Sequence, residues 1–290
     1  MSTRTGIMLA KPFEERLVAA WPKPFFVQPK LDGLRCLAEW NGNCITLKSS
    51  QDNVVYSVPH INAELERILA SNHIAPPRVL DGELYAPDLP FETLCSIVKR
   101  LDVHKNSLLI SYYIFDMKSP LDFVSRTFFL ERILGEVHRV VESVIVLVAT
   151  FSCSDLDTVW TDFLPTFMDQ GYEGIILRNG HASYQEKRTS DMLKFKPSRE
   201  DVYTIQDYEE EHDIYGSPKG SLGSFLVCSE DGEAFSCGTG FTRQQRQDFW
   251  TDRHLLVGQK IRVRSQYLNE RGIPRPPAVF VEVVECASTK

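Results

Sequence analysis

No part of this 290-residue sequence approaches the roughly 18 consecutive apolar residues that a membrane-spanning helix needs. The first residues also lack the charged, apolar and small-residue succession of a secretory signal, so a cytoplasmic protein without membrane contact is expected. Cysteine is sparse and unpatterned. Seven residues, Cys36, Cys44, Cys95, Cys153, Cys228, Cys237 and Cys286, contain no Cys-x-x-Cys pair. That spacing argues against both a disulfide framework and a zinc site, and fits small apolar side chains in a reducing compartment. An excess of positive charge is missing too. With Lys+Arg 32 against Asp+Glu 39, the net charge of -7 excludes bulk, nonspecific affinity for nucleic acid, which needs clustered cations. A local basic track remains possible. Low-complexity tracts, long runs of like charge and internal repeats are absent.

The hydrophobic fraction, 43%, is sufficient to core one large or two modest domains. The pattern reads as α+β. A short helix is expected over 12–21, with Pro12 in its first turn and Phe13, Leu17, Val18 and Trp21 on one face. An apolar strand then ends at Lys30. The runs 36–40 and 44–48 flank Asn41-Gly42, a strong hairpin signal, which predicts an antiparallel sheet around Lys30. Further on, Ile61, Leu65, Ile68 and Leu69 mark a helix, and strands are expected over 78–85, 106–115 and 143–151, with a helix over 126–140. Ser154 and Asp157 resemble a capping box for a helix bearing Leu156, Trp160, Phe163 and Phe167. Two short strands follow, 172–178 and 191–197. After the polar junction 197–201 the composition shifts to short strands with glycine turns, near 202–208, 223–229, 233–237, 260–268 and 278–284, with one helix after Thr242. The expected domains are 1–198 and 199–290, and the second has the size of an oligonucleotide-binding (OB) barrel.

The chemistry-bearing residues stand at strand ends. Lys30 precedes an Asp32-Gly33 turn, with Arg35 five positions on. A lysine amine is nucleophilic only when neutral, and neighbouring cations or burial keep it so. Lys-x-Asp-Gly also ends many ordinary strands, so this piece alone does not decide. Asp81-Gly82-Glu83 and Glu173-Gly174 each put a carboxylate beside a glycine that would admit a ligand closely. Lys194 and Lys196 alternate with Phe195, which puts two ammonium groups on one strand face. In the tail, Arg262 and Arg264 alternate with Ile261 and Val263, while Arg243 and Arg246 are one helical turn apart; both pairs suit phosphate tracking, or an ordinary solvated face.

Taken in order, these stretches resemble the covalent nucleotidyltransferase superfamily and, within it, the ATP-dependent DNA ligases. The matching segments are Lys30-Leu-Asp-Gly-Leu-Arg35, Leu80-Asp-Gly-Glu83, Tyr113-Ile-Phe-Asp116, Glu173-Gly-Ile-Ile-Leu-Arg178 and Leu193-Lys-Phe-Lys-Pro197. The likeness continues through Gly220-Ser-Leu-Gly223, Cys237-Gly-Thr-Gly-Phe241 and Arg271-Gly-Ile-Pro-Arg-Pro-Pro277, so it spans nearly the whole chain. It implies an ATP-grasp-like nucleotidyltransferase domain, with antiparallel sheets and flanking helices, followed by an OB-fold β-barrel. It further implies a monomer that seals nicks in double-stranded DNA with ATP and Mg²⁺.

By the same resemblance, Lys30 carries AMP, Gln28 and Pro29 lie beside the adenine, Arg35 and Glu83 reach the ribose side, and Phe115 stacks on the base. Glu173, with Glu83, holds Mg²⁺, and Lys194 and Lys196 bind the α-phosphate. Lys48 stands where relatives often carry an arginine that touches the nick 5′-phosphate; with Arg243, Arg246, Arg262 and Arg264 it makes up the expected DNA contacts. One departure stands out. Relatives usually place an arginine just after the strand equivalent to 279–284, where this sequence has Val284 and Glu285. Lysyl-AMP formation is therefore expected to borrow Arg275 or another barrel cation, or to be slow. Competing readings are an mRNA-capping guanylyltransferase, an RNA ligase of the same superfamily, and a noncatalytic single-strand-binding protein.

Overall fold

A computed structural model of the chain describes residues 6–72, 74–134, 143–229, 231–266, 268–269, 271–274 and 277–284. Two compact units divide it, Met1–Lys196 and Pro197–Lys290. The first runs β1 (Leu9–Pro12), α1 (Glu15–Ala19), β2 (Phe25–Lys30), β3 (Leu34–Trp40), β4 (Ile45–Ser49), α2 (Pro59–Ser71), β5 (Val79–Tyr85), α3 (Phe91–Val98), β6 (Ser111–Met117), α4 (Phe123–Leu134), β7 (Ile145–Leu147), β8 (Phe151–Cys153), α5 (Leu156–Thr158), α6 (Leu164–Asp169), β9 (Gly174–Arg178) and β10 (Arg188–Phe195). The second runs β11 (Arg199–His212), β12 (Pro218–Cys228), β13 (Ala234–Cys237), α7 (Arg243–Thr251), α8 (Arg253–Leu256), β14 (Lys260–Ser265) and β15 (Val279–Val284).

The first unit holds two five-stranded sheets, ordered β1-β10-β9-β2-β8 and β4-β3-β5-β6-β7. The strand of Lys30, β2, does pair antiparallel, with β8 and β9, and Lys30 itself stands opposite Gly174 of β9, whereas the β3–β4 hairpin belongs to the other sheet. The turn after Lys30 therefore carries the chain from one sheet to the other. Neither sheet is purely antiparallel, since β1 with β10 and β6 with β7 are parallel. The hairpin forms as its sequence predicts: Gly42 takes φ 100°, and the Asn41 side chain accepts from the backbone N–H of Asn43 and Cys44, each at 2.9 Å.

Several boundaries differ from expectation for local reasons. Pro12 ends strand β1, and α1 begins only at Glu15. Residues 107–109 form a 3-10 turn before β6. The helix cap is Asp155, one residue past the expected Ser154: its carboxylate accepts from Thr158 N–H at 2.7 Å. A π-helical turn, Val159–Phe163, joins α5 to α6. The expected helix over 126–140 begins earlier, at Phe123, and its residues 135–140 lie outside the described set. The expected strand over 143–151 splits into β7 and β8, and α3 was not foreseen.

Each sheet has its own core. Against the β4-β3-β5-β6-β7 sheet pack α2, α3 and α4, through residues such as Ile61, Leu65, Leu94 and Leu130. Against the other pack α1 and α6, through Val18, Trp21, Phe25 and Phe167. Burial of each such side chain contributes roughly 1.5–3 kcal/mol. In the second unit the order is β13-β12-β11-β14-β15. A parallel bridge from Thr239 to Val279, with Phe280 N–H donating to the Thr239 carbonyl at 2.8 Å, brings the end of β13 to the far edge strand, giving an OB-like curl. Phe225, Phe241, Phe249 and Phe280 pack together inside it.

The six described cysteines are free thiols, and among the described residues no helix is long and apolar enough to cross a membrane.

Candidate active site

A cavity of about 170 Å³ in the first unit has walls from both sheets. β2 supplies Gln28, Pro29 and Lys30, β10 supplies Lys194, and the other sheet supplies Arg35, Glu83 and Phe115. Seven residues selected from sequence thus converge on one space, although they come from five strands. Glu173 and Lys196 join through Lys30. Glu173, 4% exposed, receives the Lys30 amine on one carboxylate oxygen and the Lys196 amine on the other. Lys194 and Lys196 consequently part company: the first lines the cavity, and the second binds Glu173.

Burial sets the electrostatics. It lowers the Lys30 pKa more than the nearby charges of Glu83 and Asp32 raise it, which favours the neutral, nucleophilic amine. Burial also takes Lys196 down to about 8, helped by the charge of Lys30. Glu83 is pushed upward by burial against the pull of Lys30 and Arg35, and it accepts from Gly33 N–H at 3.2 Å. Arg35 feels burial most, yet Asp81 outweighs it and raises its pKa; the Arg35 Nε–H donates to Asp81 at 2.7 Å, and its guanidinium covers the Phe115 ring at 4.8 Å. Asp81 also accepts from the Tyr184 hydroxyl at 2.5 Å. Gln28 is anchored by its amide, which donates to the Phe115 carbonyl at 3.3 Å and to Thr150 Oγ1 at 2.9 Å.

The two glycines beside the carboxylates serve another purpose than ligand approach. A Cβ on Gly174, at φ 150°, would run into the carbonyl of Phe195 on β10, and one on Gly82 would meet the carbonyl of Tyr113 on β6. Both allow adjoining strands to close up.

Of the expected DNA contacts, Lys48 is on β4 of the first unit and the four arginines are in the second. Lys48 lies between Glu39 at 3.0 Å and Asp52 at 3.2 Å, Arg262 pairs with Glu282 at 3.0 Å, and Arg264 pairs with Glu200 at 2.6 Å. β14 does alternate, with Ile261 and Val263 buried. Arg243 is exposed at the start of α7. Arg246 is a correction: instead of facing solvent, its two terminal nitrogens donate to the carbonyls of Leu222, Gly223 and Gly238 at 2.6, 2.8 and 2.6 Å, stapling α7 to β12. Arg275 lies outside the described residues.

Sequence reading missed Arg178 and Arg188, which also line the cavity. Arg178 could have been suspected from its place at the end of an all-apolar strand, where a charge needs a buried partner. Mg²⁺ fits the donor set: Glu83 and Glu173 are hard oxygen donors, and this ion is commonly held by one or two carboxylates and the substrate's phosphates. Among the described residues no cluster of three His, Cys, Asp or Glu is placed to hold a metal alone.

Residues 7–196 match the family model of the ATP dependent DNA ligase domain, and residues 215–283 match the DNA ligase OB-like domain. A DNA ligase of Halobacterium salinarum is 26% identical over 273 residues, covering 89% of this chain and 46% of its own length. The chain thus spans about half of that relative. A DNA ligase of Haemophilus influenzae is 24% identical, with 93% of this chain and 90% of that protein covered. Among solved structures, Pmar-Lig aligns with a TM-score of 0.81 at 24% identity, over 97% of this chain and 67% of that one. A Lig E DNA ligase aligns with a TM-score of 0.73 at 23% identity, over 96% and 99% respectively.

Proposed function

Since the chain belongs to the ATP-dependent DNA ligase family, we propose that it joins 5′-phosphate and 3′-hydroxyl ends at nicks in double-stranded DNA, using ATP. The observation that carries this is the buried Lys30 amine, pKa lowered, on a carboxylate it shares with a second lysine at the edge of a cavity. In the first step the neutral Nζ attacks the α-phosphorus; a P–N bond forms, the bond to pyrophosphate breaks, and the amine proton has Glu173 as its immediate acceptor. In the second the DNA 5′-phosphate displaces Lys30 and takes the AMP. In the third the 3′-hydroxyl attacks that phosphate and AMP leaves.

Phosphoryl transfer depends mostly on positioning and on neutralising phosphate oxygens. Lys194 and Lys196 supply two cations for the α-phosphate. Gln28, Pro29 and Phe115 form the base end, and Arg35 and Glu83 the ribose side. Mg²⁺ bound by Glu83 and Glu173 would add charge neutralisation at the phosphates. On the DNA side, Arg243 would meet backbone phosphates directly, and Arg262, Arg264 and Lys48 after exchanging their carboxylate partners.

The test is incubation with α-labelled ATP or GTP and Mg²⁺, followed by denaturing electrophoresis. Label from ATP, lost in Lys30→Met and discharged by nicked DNA into a sealed strand, supports the proposal. Label from GTP would favour a capping enzyme, and no label a binding protein.

A further inference from the structure

The cavity's two walls belong to different sheets, so the distance from Lys30 and Lys194 to Phe115 and Glu83 depends on whatever ties the sheets together. Asp116 is such a tie. It follows Phe115 on β6, is 1% exposed, and binds Arg178, which ends β9 in the opposite sheet and lines the cavity. Its other partner is Arg126 on α4, whose Nε–H donates to Asp116 at 2.6 Å. Arg126 in turn donates to the carbonyls of Leu121 at 2.6 Å and Ala182 at 3.0 Å. Burial opposes the charge on Asp116, but the two guanidiniums outweigh it and hold its pKa low. A carboxylate in this position joins three elements at once, and its two ion-pair partners stand 10 and 62 positions away in the chain.

We propose that Asp116 is a positioning residue of the nucleotide site: by holding Arg178 against β6 it fixes the separation of the two sheets, and with it Phe115 and Arg178, for the bound ATP. This rests on the ATP-dependent activity proposed above. Phe115 lies one peptide away, and its carbonyl also receives the Gln28 amide, so a shift of β6 moves two walls of the cavity together. The role concerns binding geometry, since Asp116 is not among the residues lining the cavity.

The experiment compares wild type, Arg126→Met and the double variant Asp116→Asn/Arg126→Met. Removing Asp116 alone leaves two buried guanidiniums without a carboxylate and endangers folding. The double variant loses one cation and one anion, so the net charge of the cluster is that of wild type, and against Arg126→Met the only further loss is the Asp116 carboxylate. Each protein is melted and then assayed for lysyl-AMP formation over a range of ATP concentrations. The expected result is that Arg126→Met keeps both KM and saturating rate within about threefold of wild type, whereas the double variant raises KM for ATP by about tenfold or more with a much smaller change in saturating rate. A double variant with the KM of Arg126→Met overturns the proposal, as does one that melts far below it, because Asp116 would then serve folding alone. Wild type that takes no label from ATP would instead overturn the ligase reading.

Discussion

Lys30 and Lys196 bind opposite oxygens of one carboxylate, that of Glu173. Two ammonium groups facing one buried anion hold a surplus proton, and burial lowers both lysine pKa values, Lys196 to about 8. Only the neutral amine attacks. The rate of lysyl-AMP formation at saturating ATP and Mg²⁺ will therefore rise with pH and level off below 10.5, the ordinary lysine value. Quenched-flow measurement across pH checks this, and a rate still climbing past that value contradicts it. Stability follows with a matching sign. Between about 8 and 10.5 the unfolded chain keeps a proton on Lys196 that the folded chain has released, so this contribution grows as pH rises. Lys196→Met should remove that part of the slope in denaturant titrations.

Glu173→Gln keeps the shape of the site but takes away the charge that both lysines bind. Lysyl-AMP formation should fall by about 10²-fold or more, on the scale of losing one preorganised electrostatic group. Raising Mg²⁺ should not restore it. Full rescue by metal would mean that Glu173 serves only to gather the ion.

Gly174→Ala should destabilise the first unit by about 2 kcal/mol or more, because a backbone at φ 150° is strained for alanine and the new methyl meets the Phe195 carbonyl. Gly171→Ala is the control. Its φ is 81°, with nothing close to the added carbon, so its cost should be only about 1 kcal/mol. Equal costs in urea unfolding would show that the β9–β10 approach is not what requires glycine at 174.

Arg246→Ala and the Arg262→Ala/Arg264→Ala pair should behave oppositely. The first removes donors from three carbonyls and should cost about 2–4 kcal/mol of stability, leaving the salt dependence of nicked-DNA binding unchanged. The second should leave stability within about 1 kcal/mol, the worth of exposed ion pairs, and should flatten the slope of log affinity against log salt by about one per lost phosphate contact. Fluorescence anisotropy at several salt concentrations separates the two.

Lys30, Glu83, Glu173 and Lys194 stood out in the sequence because charges beside glycine turns or within apolar runs are local signals, whereas Phe115 was singled out only by the family resemblance. Which sheet each strand joins was not. Alternation tells which side of a strand is buried, but it cannot say that Lys30 and Arg35, five residues apart, lie in different sheets. Pairings across long separations were equally hidden: Asp116 meets a residue 62 positions away. Arg126 did leave a trace, since it stands on the buried stripe of α4 with Phe123, Leu130 and Ile133, where a lone charge demands an interior partner. Arg246 misled because an arginine on a polar helix looks like surface until the carbonyls it serves are known.

The split between sheets also bears on how such a site can change over generations. Lys30, Glu173, Lys194 and Lys196 all stand on or beside β2, β9 and β10, whereas Glu83, Arg35 and Phe115 come from β5, β3 and β6. Yet Gln28 and Pro29 share β2 with Lys30, and Glu83 shares its sheet with Phe115, so under the proposed roles each slab serves both the transfer step and the choice of nucleoside, and the two properties would have to drift together.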